Sequence, residues 1–339
     1  MKKDIKNFTL EELKGYFKEK NLPLYCAAQI FGWIYSKRIE DFNLMTDIAK
    51  DVRVLLLENF YFSKLKIENR EISSDKTEKL LFGLSDGAAI ESVLIPEPER
   101  ATLCLSSQVG CKYSCKFCSS GSRGLKRNLT PAEIINQYLA ISDLTRKKIT
   151  NIVFMGIGEP LDNFENVVKA IKIFVQPKGL NLSASRISVS TCGVIPQIEE
   201  LLRRKLGVKL SVSLHSADSD IRSKIMPVNV KYPLVELIKT LKKSGKNEKY
   251  PITFEYALFG SLNTGKLAAQ QLIRLLKGMN CKINLIPYNA TQGIFKEPTK
   301  TEVEEFCSEL KNAGLFYTLR KSRGQDIHAA CGQLYALWK

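Results

Sequence analysis

Several things are scarce or missing in this chain, and each absence narrows what it can be. No apolar run is long enough to cross a bilayer, and Met1 to Leu10 (MKKDIKNFTL) lacks the apolar core of a secretory signal, so a cytoplasmic protein without a membrane association is expected. No repeat with a period of 20 to 50 residues is visible, which leaves a solenoid unsupported. From about Pro98 onward there is neither a low-complexity tract nor a long linker. Histidine is nearly absent: His215 and His328 supply no short-spaced pair of the kind structural zinc recruits. Nine cysteines are too sparse for a disulfide scaffold, and an odd number cannot pair completely, so reduced, working thiols are expected.

What is present is a basic, core-forming chain of 339 residues, 44% of them apolar, sized for one large domain or a domain with an appendage. Lys and Arg exceed Asp and Glu by 51 to 35, a formal charge of +16 that attracts polyanions and makes nucleic acid the first partner to consider. Such a balance also serves plain solubility. Basic clusters recur at Arg123, Lys126 and Arg127, at Arg146 to Lys148, at Arg203 to Lys205, and at Arg320, Lys321 and Arg323. The first and last flank cysteine-bearing segments.

Apolar, β-rich runs alternate with helical patterns over most of the chain. Strands are predicted at Thr102 to Ser106, Ile152 to Met155, Arg186 to Ser190, Val208 to Leu214, Ile252 to Leu258, Lys282 to Ile286 and Phe316 to Arg320. Helices are predicted to start near Pro131, Asn163, Ile195, Pro233, Gly265 and Lys300, the first marked by Thr130 as N-cap with Glu133 completing a capping box. Repeated strand–helix units imply an α/β fold with a parallel sheet, and six or seven of them favour an open partial (β/α)6 barrel with functional loops at the C-terminal ends of its strands. Residues 1–95 read differently, as amphipathic stretches followed by alternating segments. They suggest an N-terminal accessory domain, a helical module plus a β-hairpin, ahead of a catalytic domain over residues 96–339.

The segment CKYSCKFC spaces Cys111, Cys115 and Cys118 by three and two residues, and thiolates this close on one loop suit a soft metal or an iron–sulfur cluster. Three ligands leave one iron open. In FMGIGEP, Gly156, Gly158 and Glu159 follow an apolar strand; small residues let the backbone approach a ligand, and a carboxylate with carbonyls can receive an ammonium group. Alone, this pattern also fits an ordinary glycine turn. Ser190, Ser213-Leu214-His215 and Asn289 all fall at strand ends, a placement that favours ligand contact over the usual fate of a satisfied rim residue. Cys26, Cys192, Cys281 and Cys307 read as small hydrophobes. Cys331, on a polar loop beside Gly332, is as well placed to be a reactive thiol.

C-x3-C-x2-C with Phe117 before the last cysteine resembles the motif of radical S-adenosylmethionine enzymes. Together with QIFGWIY, ATLCLSSQVG, KRNLTPAEII, NIVFMGIGEPLDN, ISVSTCGVIP, SVSLHSADSDIRSKIMPVNVKYP, NLIPYN and RKSRGQDIHAACGQL, it is similar over nearly the whole chain to the dual-specificity ribosomal and transfer RNA adenine C2-methyltransferase family. That resemblance implies a radical S-adenosylmethionine type of partial barrel, a [4Fe-4S] cluster on Cys111, Cys115 and Cys118, and two S-adenosylmethionine molecules per turnover. It implies cofactor contacts from Gly158, Glu159, Ser190, Ser213, Leu214, His215 and Asn289. Cys331 is then expected to take a methyl group, lose a hydrogen from it to a 5′-deoxyadenosyl radical, and bond through that carbon to adenine. Glu91 is the expected base for the ring proton, and Cys104 the thiol that releases the product through a transient disulfide with Cys331. The expected partners are 23S ribosomal RNA, with transfer RNA as the second substrate, and an external electron donor such as a flavodoxin or ferredoxin, for a monomeric enzyme.

A sister group modifies C8 of the same adenosine and shares the cluster and both outlying cysteines. Pro160, Pro287 and Ser322-Arg323-Gly324 look like the C2 form. The chain departs from the family pattern at Cys192, Ser119-Ser120 and His328 without removing any catalytic group; His328 bears on the charge beside Cys331. A non-catalytic iron–sulfur or zinc RNA-binding protein would explain the charge and the triad, but it leaves Glu91, Cys104, Gly158-Glu159 and Cys331 without a role.

Overall fold

A computed structural model describes residues 1–122, 124–145, 148–245, 248–288 and 295–335. Its centre is a ten-stranded sheet. Seven strands lie side by side in chain order and run parallel: Arg100–Cys104, Asn151–Phe154, Ile187–Thr191, Lys209–Ser213, Ile252–Leu258, Cys281–Pro287 and Tyr317–Leu319. Each corresponds to a strand predicted from sequence. Ile252–Leu258 is buried along its whole length, as a parallel strand covered on both faces must be.

Helices Pro131–Thr145, Phe164–Val175, Ile195–Arg203, Leu234–Ser244, Lys266–Leu276 and Lys300–Asn312 supply the crossovers. The capping box at the first forms as predicted: Glu133 N–H donates to Thr130 Oγ1 at 3.2 Å, and Thr130 N–H donates to the Glu133 carboxylate at 2.9 Å. A side-chain cap of this kind contributes about 1 kcal/mol.

The alternating segments before the barrel form three antiparallel strands, Lys66–Ile72, Glu78–Gly83 and Ala89–Glu97, that continue the same sheet through the pairing of Ala89–Glu97 with Arg100–Cys104. The expected boundary at residue 95 thus falls inside a strand, because main-chain hydrogen bonds carry the sheet across it. The helices Leu10–Glu19, Leu24–Tyr35 and Lys50–Asn59 stand apart from the sheet, and segments beside them reach Pro131–Thr145. Asn7 Oδ1 accepts from Ala132 N–H at 2.9 Å, and Arg38 donates to Leu139 O and Asp143, both at 2.7 Å. Lys6, fully buried, donates to Glu40 and to Ser63 O at 2.6 Å each, the paired state a buried ammonium requires.

Candidate active site

The loops after the first four parallel strands converge on a cavity of about 170 Å³ lined by Cys111, Cys115, Cys118, Gly156, Gly158, Glu159, Ser190, Ser213, His215 and Cys331. Residues far apart in sequence meet there because parallel strands deliver all their C-terminal ends to one rim. Cys111 and Cys115 pack against the main core, and burial pushes the Cys111 thiol up to about 12; Cys115 and Cys118 are raised too, by burial first. Three clustered thiols that resist ionising alone form a donor set that a soft, positively charged iron–sulfur group fits. Among the described residues no three Cys, His, Asp or Glu stand close enough to hold one metal ion, so the three thiols share a cavity wall and do not meet at a point.

The glycine loop lines the cavity and is also constrained by its own protein neighbours. A Cβ on Gly156 would sit 2.7 Å from Leu105 O, and one on Gly158 would sit 2.5 Å from Gln108 Cβ. Gly158 also has φ of +102°. The neighbouring protein segment, before any ligand, demands these glycines. The buried Glu159 accepts from Cys192 N–H at 2.7 Å and Leu161 N–H at 3.0 Å, while its own N–H donates to Gln108 Oε1 at 2.8 Å. Its carboxylate therefore braces two loops as well as facing the cavity.

His215 is buried with φ of +54°, and its Nδ1 accepts from Ala257 N–H at 2.9 Å. Burial, then the charge of Arg222, pushes it down to about 3, so the ring is neutral and presents its remaining N–H as a donor. Ser190 and Ser213 line the cavity, whereas the Leu214 side chain is fully buried in the core. Asn289 lies outside the described residues.

A second chamber of about 50 Å³ brings Cys104 and Cys331 together, with Val93, Cys118, Met155, Arg320 and Leu334 on its wall. Cys104 ends its strand between Val93 and Val153 on the two neighbouring strands. Burial, then the proximity of Cys331, pushes its thiol up to about 12. Cys331 lines both cavities and is exposed, and Gly332 O accepts from Ser119 N–H of the cluster loop at 2.8 Å. Glu91 does not line the chamber; two residues before Val93 on the same strand, it is buried, its Oε2 accepts from Tyr335 N–H at 2.6 Å, and Lys79 Nζ lies 3.7 Å from Oε1. Burial raises its carboxyl and Lys79 opposes the rise.

Sequence reasoning missed four residues here. Cys192, read as a packing residue, lines the main cavity and holds Glu159 by its backbone. Glu255 and Arg320 line that cavity as well, and Arg222 lies behind it. Arg320, assigned to a basic cluster, is half-buried and lines both cavities, where the charges of Cys331 and Glu255 act on it. Other cluster members are paired: Arg127 with Asp86 and Glu133, Arg203 with Glu200, and Arg204 with Glu200 and Glu165.

This constellation, three loop cysteines and a glycine-rich second loop on a parallel half-barrel, defines a radical S-adenosylmethionine enzyme, and the pattern of the Radical SAM superfamily matches residues 105–268. Residues 3–61 match the Ribosomal RNA large subunit methyltransferase N-terminal domain. The chain belongs to the dual-specificity RNA methyltransferase RlmN family. It is 44% identical over 334 residues to the protein of that name from Pelobacter propionicus, covering 98% of this chain and 96% of that one. With its counterpart from Geobacter sulfurreducens it shares 44% identity over 332 residues, 98% of this chain and 91% of that one. A solved structure of a radical SAM methyltransferase from Sphaerobacter thermophilus superposes with a TM-score of 0.91 at 39% identity, covering 98% of both chains. The cofactors are accordingly a [4Fe-4S] cluster and S-adenosylmethionine.

Proposed function

We propose that the chain methylates C2 of an adenosine in 23S ribosomal RNA and in transfer RNA, using Cys331 as the methyl carrier and Cys104 as the releasing thiol. The observation that carries this reading is the chamber lined together by Cys104, Cys331 and Cys118 of the cluster loop. C2 of adenine is electrophilic, so a plain sulfonium transfer, which needs a nucleophilic acceptor, fails there. A carbon delivered from a protein thioether avoids that difficulty and splits the hard step in two.

When bound, the cluster on Cys111, Cys115 and Cys118 and S-adenosylmethionine supply the methyl group and a one-electron cleavage that yields a hydrogen-abstracting radical. The chain's own residues do the rest. Cys331 accepts the methyl group, and its methyl carbon, after losing a hydrogen, bonds to the ring. Glu91 takes the ring proton. Cys104 attacks the sulfur of Cys331 and breaks its bond to the ring-borne carbon, which takes a proton to become the methyl group; the one electron left over returns to the centre that supplied it, and the disulfide formed must be reduced before the next cycle. Gly158, Glu159, Ser190, Ser213, the Leu214 backbone, His215 and Asn289 orient the cofactor.

The target base must leave its stack to reach Cys331, and the helical module over residues 3–61 reads the RNA fold. The enzyme acts as a cytoplasmic monomer and draws electrons from a flavodoxin or ferredoxin; among the described residues no helix is long and apolar enough to cross a membrane. Anaerobic reaction with unmodified ribosomal and transfer RNA, followed by nucleoside digestion, tests the assignment. The expected product is 2-methyladenosine in both RNAs. Formation of 8-methyladenosine, or of no methylated adenosine, would contradict it.

A further inference from the structure

Arg222 is a fully buried arginine with no carboxylate partner among the described residues. Its guanidinium donates only to neutral oxygens: Nε to Leu214 O at 3.2 Å, Nη2 to Cys192 O at 2.8 Å and Ser213 O at 3.1 Å, and Nη1 to Asn229 Oδ1 at 2.7 Å. Asn229 is itself fixed by donating to Ser219 O and Oγ at 3.1 Å and to Ser223 Oγ at 2.8 Å. This is a built socket for one positive charge, and an uncompensated buried charge is strongly unfavourable. The groups able to become anions beside it are the thiols of Cys192, whose own carbonyl accepts from the guanidinium, and of Cys115, whose neighbour Lys116 donates its N–H at 2.9 Å to Ile225 O on the helix Ser219–Ile225 that carries Arg222. Iron ligation converts Cys115 to a thiolate, which supplies the missing negative charge.

We infer that Arg222 is the built-in counter-charge of the cluster site and the brace of its rim, a positioning residue that offsets the charge of iron-bound Cys115 and ties the Cys192 loop to the Ser213–His215 loop. This rests on the cluster reading above. Adding an electron to a cluster makes its environment more negative, so a fixed cation beside a ligand favours the reduced state and raises the reduction potential. The same fork, by joining two loops that line the cofactor cavity, preorganises them for S-adenosylmethionine.

The test is an electron-paramagnetic-resonance-monitored redox titration of the iron-loaded full chain, with iron content and cofactor affinity by equilibrium dialysis measured beside it. Arg222→Gln removes the charge. Asn229→Asp keeps the arginine but places a carboxylate where Oδ1 now accepts at 2.7 Å, and so serves if the first variant fails to fold. Both are expected to lower the equilibrium constant for reduction at least tenfold, about 59 mV for one electron, at wild-type iron content. Arg222→Lys is expected to keep the potential but weaken S-adenosylmethionine binding, because the planar fork is lost. Wild-type potentials in both charge-altering variants, or an equal shift in the lysine variant, would overturn the inference alone. A wild-type chain that assembles no cluster would overturn the cluster reading and this inference together.

Discussion

Cys104 and Cys331 share a chamber but differ in environment, one buried at a strand end and raised to about 12, the other exposed on a loop. The thiolate is the nucleophile, so Cys104 stays protonated near neutral pH until a partner or substrate deprotonates it. In the resting protein, iodoacetamide at pH 7.5 is expected to alkylate Cys331 well before Cys104, with Cys104 labelling rising steeply toward higher pH; peptide mass spectrometry reads both. Equal labelling at neutral pH would contradict the account. Gly158→Ala combines a forbidden φ with a Cβ contact of 2.5 Å and is expected to reduce S-adenosylmethionine affinity at least tenfold in equilibrium dialysis. The cluster triad and the glycine loop were legible in sequence because each is a contiguous motif on one loop. Cys192, Glu255 and Arg222 were not, since a lone Cys, Glu or Arg acquires meaning only from the strands that carry it to a shared rim.

Elements explain how the C-terminal loop is held. Asp326 accepts from Ser73 Oγ at 2.6 Å and from Ser74 N–H at 3.0 Å, and Asp75 accepts from Gly324 N–H at 3.1 Å. Beneath them Ala89, Val93, Cys104, Ile157, Ala329 and Leu334 form a small apolar cluster of their own. The antiparallel strands thus anchor the Cys331 loop, a role invisible to a reading that set them aside as an accessory hairpin. Asp326→Ala is expected to leave iron content and fold intact while slowing Cys104–Cys331 disulfide formation under mild oxidant several-fold, read by non-reducing peptide mapping. Gln137 shows the same dependence on long-range pairing. Its Oε1 accepts from Ser92 Oγ at 2.6 Å and Ser106 N–H at 2.9 Å, and Ser106 Oγ donates to Glu91 O at 2.6 Å. Gln137→Ala strands the buried Ser106 N–H and should cost about 2 kcal/mol in chemical denaturation. The strand and helix pattern was readable because parallel strands and amphipathic helices differ in period; the boundary at residue 95 was not, because sheet continuity depends on partner strands.

The whole molecule carries a charge of +16, yet Arg127, Arg203 and Arg204 are spent on neighbouring carboxylates and Arg320 on the interior. RNA contact through these four side chains would have to compete with their present partners. Raising salt from about 50 to about 200 mM should still weaken RNA binding at least about tenfold in a filter assay, because phosphate contacts release counterions. The central claim is that Cys104 releases a methylated base from Cys331. Its most direct measurement is the anaerobic reaction of the Cys104→Ala variant with unmodified RNA, resolved on a denaturing gel and mapped by mass spectrometry. The account predicts a stalled RNA–protein adduct joined through Cys331 and no free product. Normal turnover by that variant, or an adduct at another residue, would contradict it.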